Sequence, residues 1–402
     1  MIERPLYLSR LQAWKDSDMI KVITGVRRCG KSSLLTSFAD KLIESGVNKN
    51  CIIQMNFEDM IYEDIDYKTL NNIIVKHLEK NKNKKTYIFL DEIQKIDKWE
   101  KTLSSLRLKK NVDLYITGSN AYLLSGELAT LLSGRYIEIK MLPLSFKEFL
   151  TFYTFPEGTT ISKKFNTYMR LGGMPSLKDC NFDEKKINEN LDGIYNTVLV
   201  KDIFSRANVK DTQTIQKILT FMADNIANKT SINSITNTLY SSKSITSKNN
   251  NVIENYIALF EKAFIFYKVK RYDIKGKELL NSLEKYYIVD SGLRTHILGR
   301  LSDTGRVIEN IVYFELLRRG YKVSVGKFYD NEIDFIAYNE KEKLYIQVCE
   351  DITTEKTKNR EITPLEKIKD SFPKIILTTN EIEVQTTGTG IQIISLTDWL
   401  LK

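Results

Sequence analysis

The sequence predicts an α/β fold: a doubly wound parallel sheet in the first part of the chain, then a helical segment and a second α/β region. Three observations predict it. A short run rich in β-branched residues, Lys21-Val-Ile-Thr, leads into a glycine-bracketed loop and then into an amphipathic helix pattern. Further on, the apolar run Tyr87-Ile-Phe-Leu ends in Asp91-Glu92, as a strand buried on both faces of a parallel sheet would. Five strand-like runs, near 21–24, 51–56, 86–90, 112–117 and 135–140, alternate with helical stretches.

The chain has 402 residues, 42% hydrophobic and 28% charged. That length suits two or three domains of roughly 100–200 residues each. The apolar content excludes a disordered chain, and no run of about 18 uncharged apolar residues exists to span a membrane. The first residues, Met1 to Tyr7, lack the basic-then-apolar pattern of a signal peptide. Cys29, Cys51, Cys180 and Cys349 are widely spaced, and the chain has only two histidines. This pattern predicts neither a disulfide framework nor a zinc site, and it fits a reducing cytoplasm. Net charge is +9, and residues 201–300 hold most of the excess, with 16 basic and 9 acidic side chains. Residues 301–402 carry 14 basic and 17 acidic. A basic block suits a nucleic-acid surface, and it equally suits a lysine-rich solvated one.

The glycine loop is the most specific motif. Gly25-Val26-Arg27-Arg28-Cys29-Gly30-Lys31-Ser32-Ser33 reads G-x-x-x-x-G-K-S between a strand and a helix. Gly25 and Gly30 let the backbone curl so that its amides face a β-phosphate, and the helix N-terminus adds its positive dipole end. Lys31 would reach the β- and γ-phosphates, and Ser32 would ligate Mg²⁺. The cofactors expected are therefore ATP and Mg²⁺. Asp91 would hold Mg²⁺ through water, while Glu92 is placed to polarise the attacking water. Cys29 has two readings: a thiol activated by backbone dipoles, or a small filler.

The third strand, from Val112, runs into Ser119 and Asn120, and Asn120 is the candidate contact to the γ-phosphate or lytic water. Arg135 opens the next strand. In oligomeric ATPases an arginine from a neighbouring subunit completes the site, so Arg135 is the candidate finger and a homo-oligomer the candidate assembly. The alternative for Arg135 is an ordinary surface ion pair.

These motifs, with Phe89-Leu-Asp-Glu-Ile-Gln, Ile116-Thr-Gly-Ser-Asn-Ala, Leu132-Ser-Gly-Arg-Tyr and Leu142-Pro-Leu-Ser-Phe-Lys-Glu-Phe, resemble an AAA-type ATPase family of bacteria and archaea. Gly172-Gly-Met-Pro175, Lys285-Tyr-Tyr-Ile-Val-Asp-Ser-Gly-Leu-Arg294 and Glu332-Ile-Asp-Phe335 extend the resemblance over nearly the whole chain. It implies P-loop ATP hydrolysis and a C-terminal domain of unknown function, built as a winged helix plus a restriction-nuclease-like fold. The expected organisation is a P-loop AAA-type domain at 1–158, a helical segment at 159–210, a winged-helix-like domain at 211–300 and a degenerate PD-(D/E)XK nuclease-like α/β domain at 301–402.

Helical patterns over about 212–225, 231–240 and 251–263, followed by strand-like runs from Phe264 and Lys285, give the three helices and hairpin of a winged helix. Its third helix carries Glu254 and Glu261 against Lys262, which is poor for phosphate contact. The basic residues Lys268, Lys270, Arg271, Lys275 and Lys277 cluster on the hairpin instead, making double-stranded DNA the candidate partner and interdomain or protein packing the alternative. In the last segment, Glu309, Asp334 and Gln347 resemble the nuclease pattern of carboxylates around a metal. Cys349 stands where that pattern wants a lysine, which argues against cleavage.

Overall fold

The computed structural model describes residues 3–81, 84–118, 132, 134–198, 203–204 and 212–402. Two units emerge: Met1–Met141 with Lys262–Phe264, and Leu142–Glu261 with Ile265–Lys402. No helix among the described residues is long and apolar enough to cross a membrane.

In the first unit the five expected strands form: β1 Ile20–Thr24, β2 Ile52–Asn56, β3 Thr86–Asp91, β4 Val112–Gly118 and β5 Tyr136–Lys140. All pair in parallel, in the order β2-β3-β4-β1-β5. β1, β3 and β4 are buried at every residue, as unbroken apolar strands must be when both sheet faces are covered. Alternation divides their side chains between the faces. Val22, Ile88, Leu90 and Ile116 pack with Leu70, Ile74, Leu103 and Leu106. These four leucines and isoleucines come from the helices Tyr67–Lys80 and Trp99–Arg107. Phe89 and Tyr115 meet Phe38 of the helix Lys31–Glu44, with ring centroids 6.4 and 5.3 Å away. Truncating Phe38 to alanine would cost about 3–5 kcal/mol.

Near the N-terminal ends of β1 and β4, Lys21 pairs with Asp113, both side chains fully buried. The Asp16 amide and Tyr115 hydroxyl also donate to Asp113, at 2.8 and 2.9 Å. Burial pulls the Lys21 pKa down while Asp113 opposes it. Removing one partner of such a pair costs about 3–5 kcal/mol, so this end of the sheet is pinned.

The second unit begins with helices Phe146–Phe152, Ile161–Leu171 and Glu184–Thr197. Three more follow at Thr212–Asp224, Ile232–Ser241 and Asn250–Lys262, and then an eight-stranded mixed sheet. Its strands are β6 Phe266–Asp273, β7 Glu278–Ile288, β8 Lys322–Phe328, β9 Asn331–Tyr338, β10 Lys343–Cys349, β11 Lys374–Thr378, β12 Gln385–Thr386 and β13 Gln392–Ser395. They lie in the order β12-β13-β11-β10-β9-β8-β6-β7. The hairpin β6–β7 joins this sheet through parallel pairing of Arg271, Tyr272 and Asp273 with Val325, Gly326 and Lys327. One sheet therefore spans residue 300, where the sequence reading places a boundary. Asp290 caps the helix Ser291–Leu298 by accepting from the Leu293 amide at 2.8 Å, and it takes the Gly173 amide at 2.7 Å. Burial, opposed by these backbone amides, pushes its carboxyl up to about 6.

Candidate nucleotide site

β1 ends at Thr24, and the helix Lys31–Glu44 starts one short loop later. Gly25 has φ +146°, and a Cβ there would lie 2.2 Å from the Met141 carbonyl oxygen. Gly30, at φ 101°, is the helix N-cap. Both positions need glycine for conformation, and Gly25 also for space. Val26 and Cys29 are buried, Arg27 approaches Glu58 at 3.9 Å, and Arg28 is exposed at φ 62°. Ser32 and Ser33 are exposed on the first turn of the helix. Lys31 is buried and folds back on its own loop, donating to the carbonyls of Gly25 at 3.0 Å and Val26 at 3.1 Å. Those acceptors are neutral and replaceable.

Asp91 and Glu92 stand at the carboxyl end of β3, beside the loop's side of the sheet. Thr117 of β4 joins them: its hydroxyl donates to Asp91 Oδ1 and accepts from the Glu92 amide, the latter at 3.0 Å. Burial raises the Asp91 pKa, and hydrogen bonds from Thr117 and Ser32 oppose it. Ser32 and Asp91, the two groups expected at Mg²⁺, are thus neighbours. Glu92 adopts φ 53°, a left-handed conformation that costs a non-glycine residue about 1–3 kcal/mol and concentrates at functional sites. The Gln94 amide donates to its carboxylate.

The sequence points to Asn120 at this place and not to Thr117. Its place follows from the sheet register: Leu90 pairs with Ile116, which sets Thr117 abreast of Asp91. Asn120 lies outside the described residues. Arg135 is exposed just before β5, and its guanidinium makes no ion pair among the described residues. The activated-thiol reading of Cys29 fails. Its Sγ is fully buried against the Met141 carbonyl at 3.5 Å, and burial raises its pKa despite Lys31 and Arg4.

In the tail, Asp334 and Gln347 meet across β9 and β10, the Asp334 amide donating to Gln347 Oε1 at 2.7 Å. Glu309 comes near Asp334 through Lys285, whose Nζ lies 2.9 Å from Glu309, 2.9 Å from Glu332 and 4.0 Å from Asp334. Burial alone would pull Lys285 down, but Glu309, Asp334 and Glu332 together raise its pKa. Burial and the Glu309 charge hold Asp334 well above the carboxylate range. Cys349 turns into the core with Ile333, Tyr345 and Ile376, and burial pushes its thiol up to about 12. On the hairpin, Lys268 lies between Glu261 at 3.6 Å and Glu284 at 3.7 Å, and Arg271 is buried. Lys270, Lys275 and Lys277 remain exposed, with Lys275 stacked over Tyr329 at 4.5 Å.

Residues 17–150 match the AAA domain family, and residues 162–304 match a domain of unknown function. The chain is 44% identical to an uncharacterized protein of Haemophilus influenzae, with 100% of this chain and 99% of the relative aligned. It is 34% identical to an uncharacterized protein of Methanocaldococcus jannaschii, over 87% of this chain and 79% of the relative. Among solved structures, the Aeropyrum pernix Orc1 protein in complex with DNA is similar at TM-score 0.30 and 10% identity, over 79% of this chain and 94% of that one.

Proposed function

The chain belongs to the family represented by those two relatives, and from its AAA domain we propose that it binds and hydrolyses ATP with Mg²⁺, using the cycle to move its C-terminal unit. One observation carries this reading: Lys31, Ser32, Asp91 and Glu92 converge at the carboxyl ends of β1 and β3, around a glycine loop and a helix N-terminus. Crevices at the carboxyl ends of strands are where open parallel sheets bind ligands. Lys31 would exchange its two loop carbonyls for phosphate oxygens. Bound Mg²⁺ would supply further neutralisation of phosphate charge, with Ser32 and Asp91 as its holders. Glu92 would accept the proton of the attacking water, and Thr117 would keep Glu92 and Asp91 in register. Arg135, exposed and making no ion pair among the described residues, suits service to a neighbouring copy's phosphate.

Double-stranded DNA is the partner we favour for the hairpin, through Lys270, Lys275 and Lys277. The tail we read as nuclease-like in fold and inactive in cleavage, since Cys349 is a core residue with a neutral thiol. A phosphate-release assay with and without duplex DNA tests the main reading: Mg²⁺-dependent release is expected, and its absence under both conditions would overturn it. Exchanging Lys270, Lys275 and Lys277 together for alanine should flatten the salt dependence of DNA affinity by up to about three phosphate contacts. Unchanged affinity would move the partner surface elsewhere. Mass measurement with and without a non-hydrolysable ATP analogue tests the assembly, and a monomer under both conditions would remove Arg135 from the site.

A further inference from the structure

We propose that the Lys285 ammonium takes the place of a metal ion at the centre of the tail's carboxylate cluster, so that this core is closed by an internal cation and neither needs nor admits a divalent one. Lys285 leaves β7 with its side chain only 3% exposed. Its Nζ contacts carboxylates from two other elements, Glu309 on the helix Thr304–Arg318 and Glu332 on β9, each at 2.9 Å. Asp334, two residues along β9, faces the same nitrogen at 4.0 Å.

Other donors also reach these carboxylates. Tyr287, two residues beyond Lys285 on the same strand face, donates at 2.7 Å to the Glu309 oxygen that Lys285 also contacts. Lys229 lies 3.1 Å from the second oxygen of Glu332, and the Val348 amide donates to the second oxygen of Asp334 at 2.8 Å. Stacking of Tyr287 on Tyr313, with ring centroids 4.4 Å apart, walls the cluster on one side. The point that Glu309, Glu332 and Asp334 face in common is thus already filled by the Lys285 nitrogen. Among the described residues no group of His, Cys, Asp or Glu is arranged to hold a metal ion. The part-buried carboxylates of Glu309 and Glu332 would repel each other without a cation between them, and here the chain supplies it.

The test uses the full chain without nucleotide, on an Asp91→Asn background that removes metal from the nucleotide site. Mn²⁺ binding is counted by electron paramagnetic resonance, and thermal unfolding is followed with EDTA or Mn²⁺. With Lys285 intact, no bound Mn²⁺ and no Mn²⁺-dependent shift are expected. Lys285→Met should lower the unfolding midpoint by roughly 10 °C, gain one bound Mn²⁺ and recover part of the loss when Mn²⁺ is present. A Lys285→Met protein as stable as its parent, or one that folds and binds no Mn²⁺, would overturn the proposal. Should Lys285→Met not fold, the parent still decides: one Mn²⁺ bound with Lys285 present and lost on Asp334→Asn would overturn it equally.

Discussion

The two sites of this molecule each hold a buried lysine beside acidic residues, and the two lysines are used in opposite ways. Lys31 is satisfied by two backbone carbonyls of its own loop, which an incoming anion can replace. Lys285 is satisfied by carboxylates at its shortest contacts, and nothing neutral can replace them. The lesson is that a buried ammonium is a binding device when its partners are neutral, and a structural one when they are charged. The same residue type in the same degree of burial is therefore not evidence of one role.

The comparison can be broken from its largest effect downward. Lys31→Ala should abolish ATP binding while leaving the unfolding midpoint within about 2 °C of the parent, the reverse of Lys285→Met. Equilibrium binding of a fluorescent ATP analogue, read beside thermal unfolding, checks both halves; a large loss of stability would make Lys31 structural too. Glu92→Gln should keep nucleotide binding and slow turnover by about 10²–10⁴, because its carboxylate acts only as water attacks. Turnover at the parent rate would remove Glu92 as the base. Thr117→Val should cost about tenfold in turnover with unchanged binding, since it disturbs only the setting of Asp91 and Glu92. A fall in ATP affinity instead would make Thr117 a ligand contact.

A smaller effect sharpens the contrast within the second unit, where Asp290 has amides and no lysine. Its folded pKa of about 6 lies above the ordinary aspartate value, so the folded state binds its proton more tightly than the unfolded chain. Stability from this group is fully present below the ordinary value and declines by about 3 kcal/mol as pH rises through 6. Asp290→Asn should flatten that part of the stability profile, measured by urea unfolding between pH 4 and 7. An unchanged profile would mean that another carboxyl carries the slope.

Much of the nucleotide site was legible because its parts are local. The loop, its helix and the strand ending in Asp91 each lie within a short window whose spacing has a physical reason. Thr117 was less legible, because its role depends on how β3 and β4 align. In the cluster around Lys285, Glu309 and Asp334 were legible as a pair of carboxylates, but the lysine between them was not. The cluster's members come from two strands and a helix separated by dozens of residues, and Lys285 itself sat in a run that read simply as a wing strand. Arg271 shows the same limit on a smaller scale. As one of five basic residues it looks like a phosphate contact, yet alternation along β6 sets it on the buried side with Val269.

The parallel seam between β6 and β8 bears on how this chain tolerates being cut. A fragment ending near residue 300 would keep β6 and β7 but lose the strand that covers Arg271, Tyr272 and Asp273. Their amides and carbonyls would become a bare sheet edge, a template for pairing with the same edge on another molecule. A fragment starting there would bare the matching edge of β8 at Val325, Gly326 and Lys327. Each half would thus be sticky through a surface that the intact chain spends on itself, and a soluble tail requires a cut upstream of the hairpin.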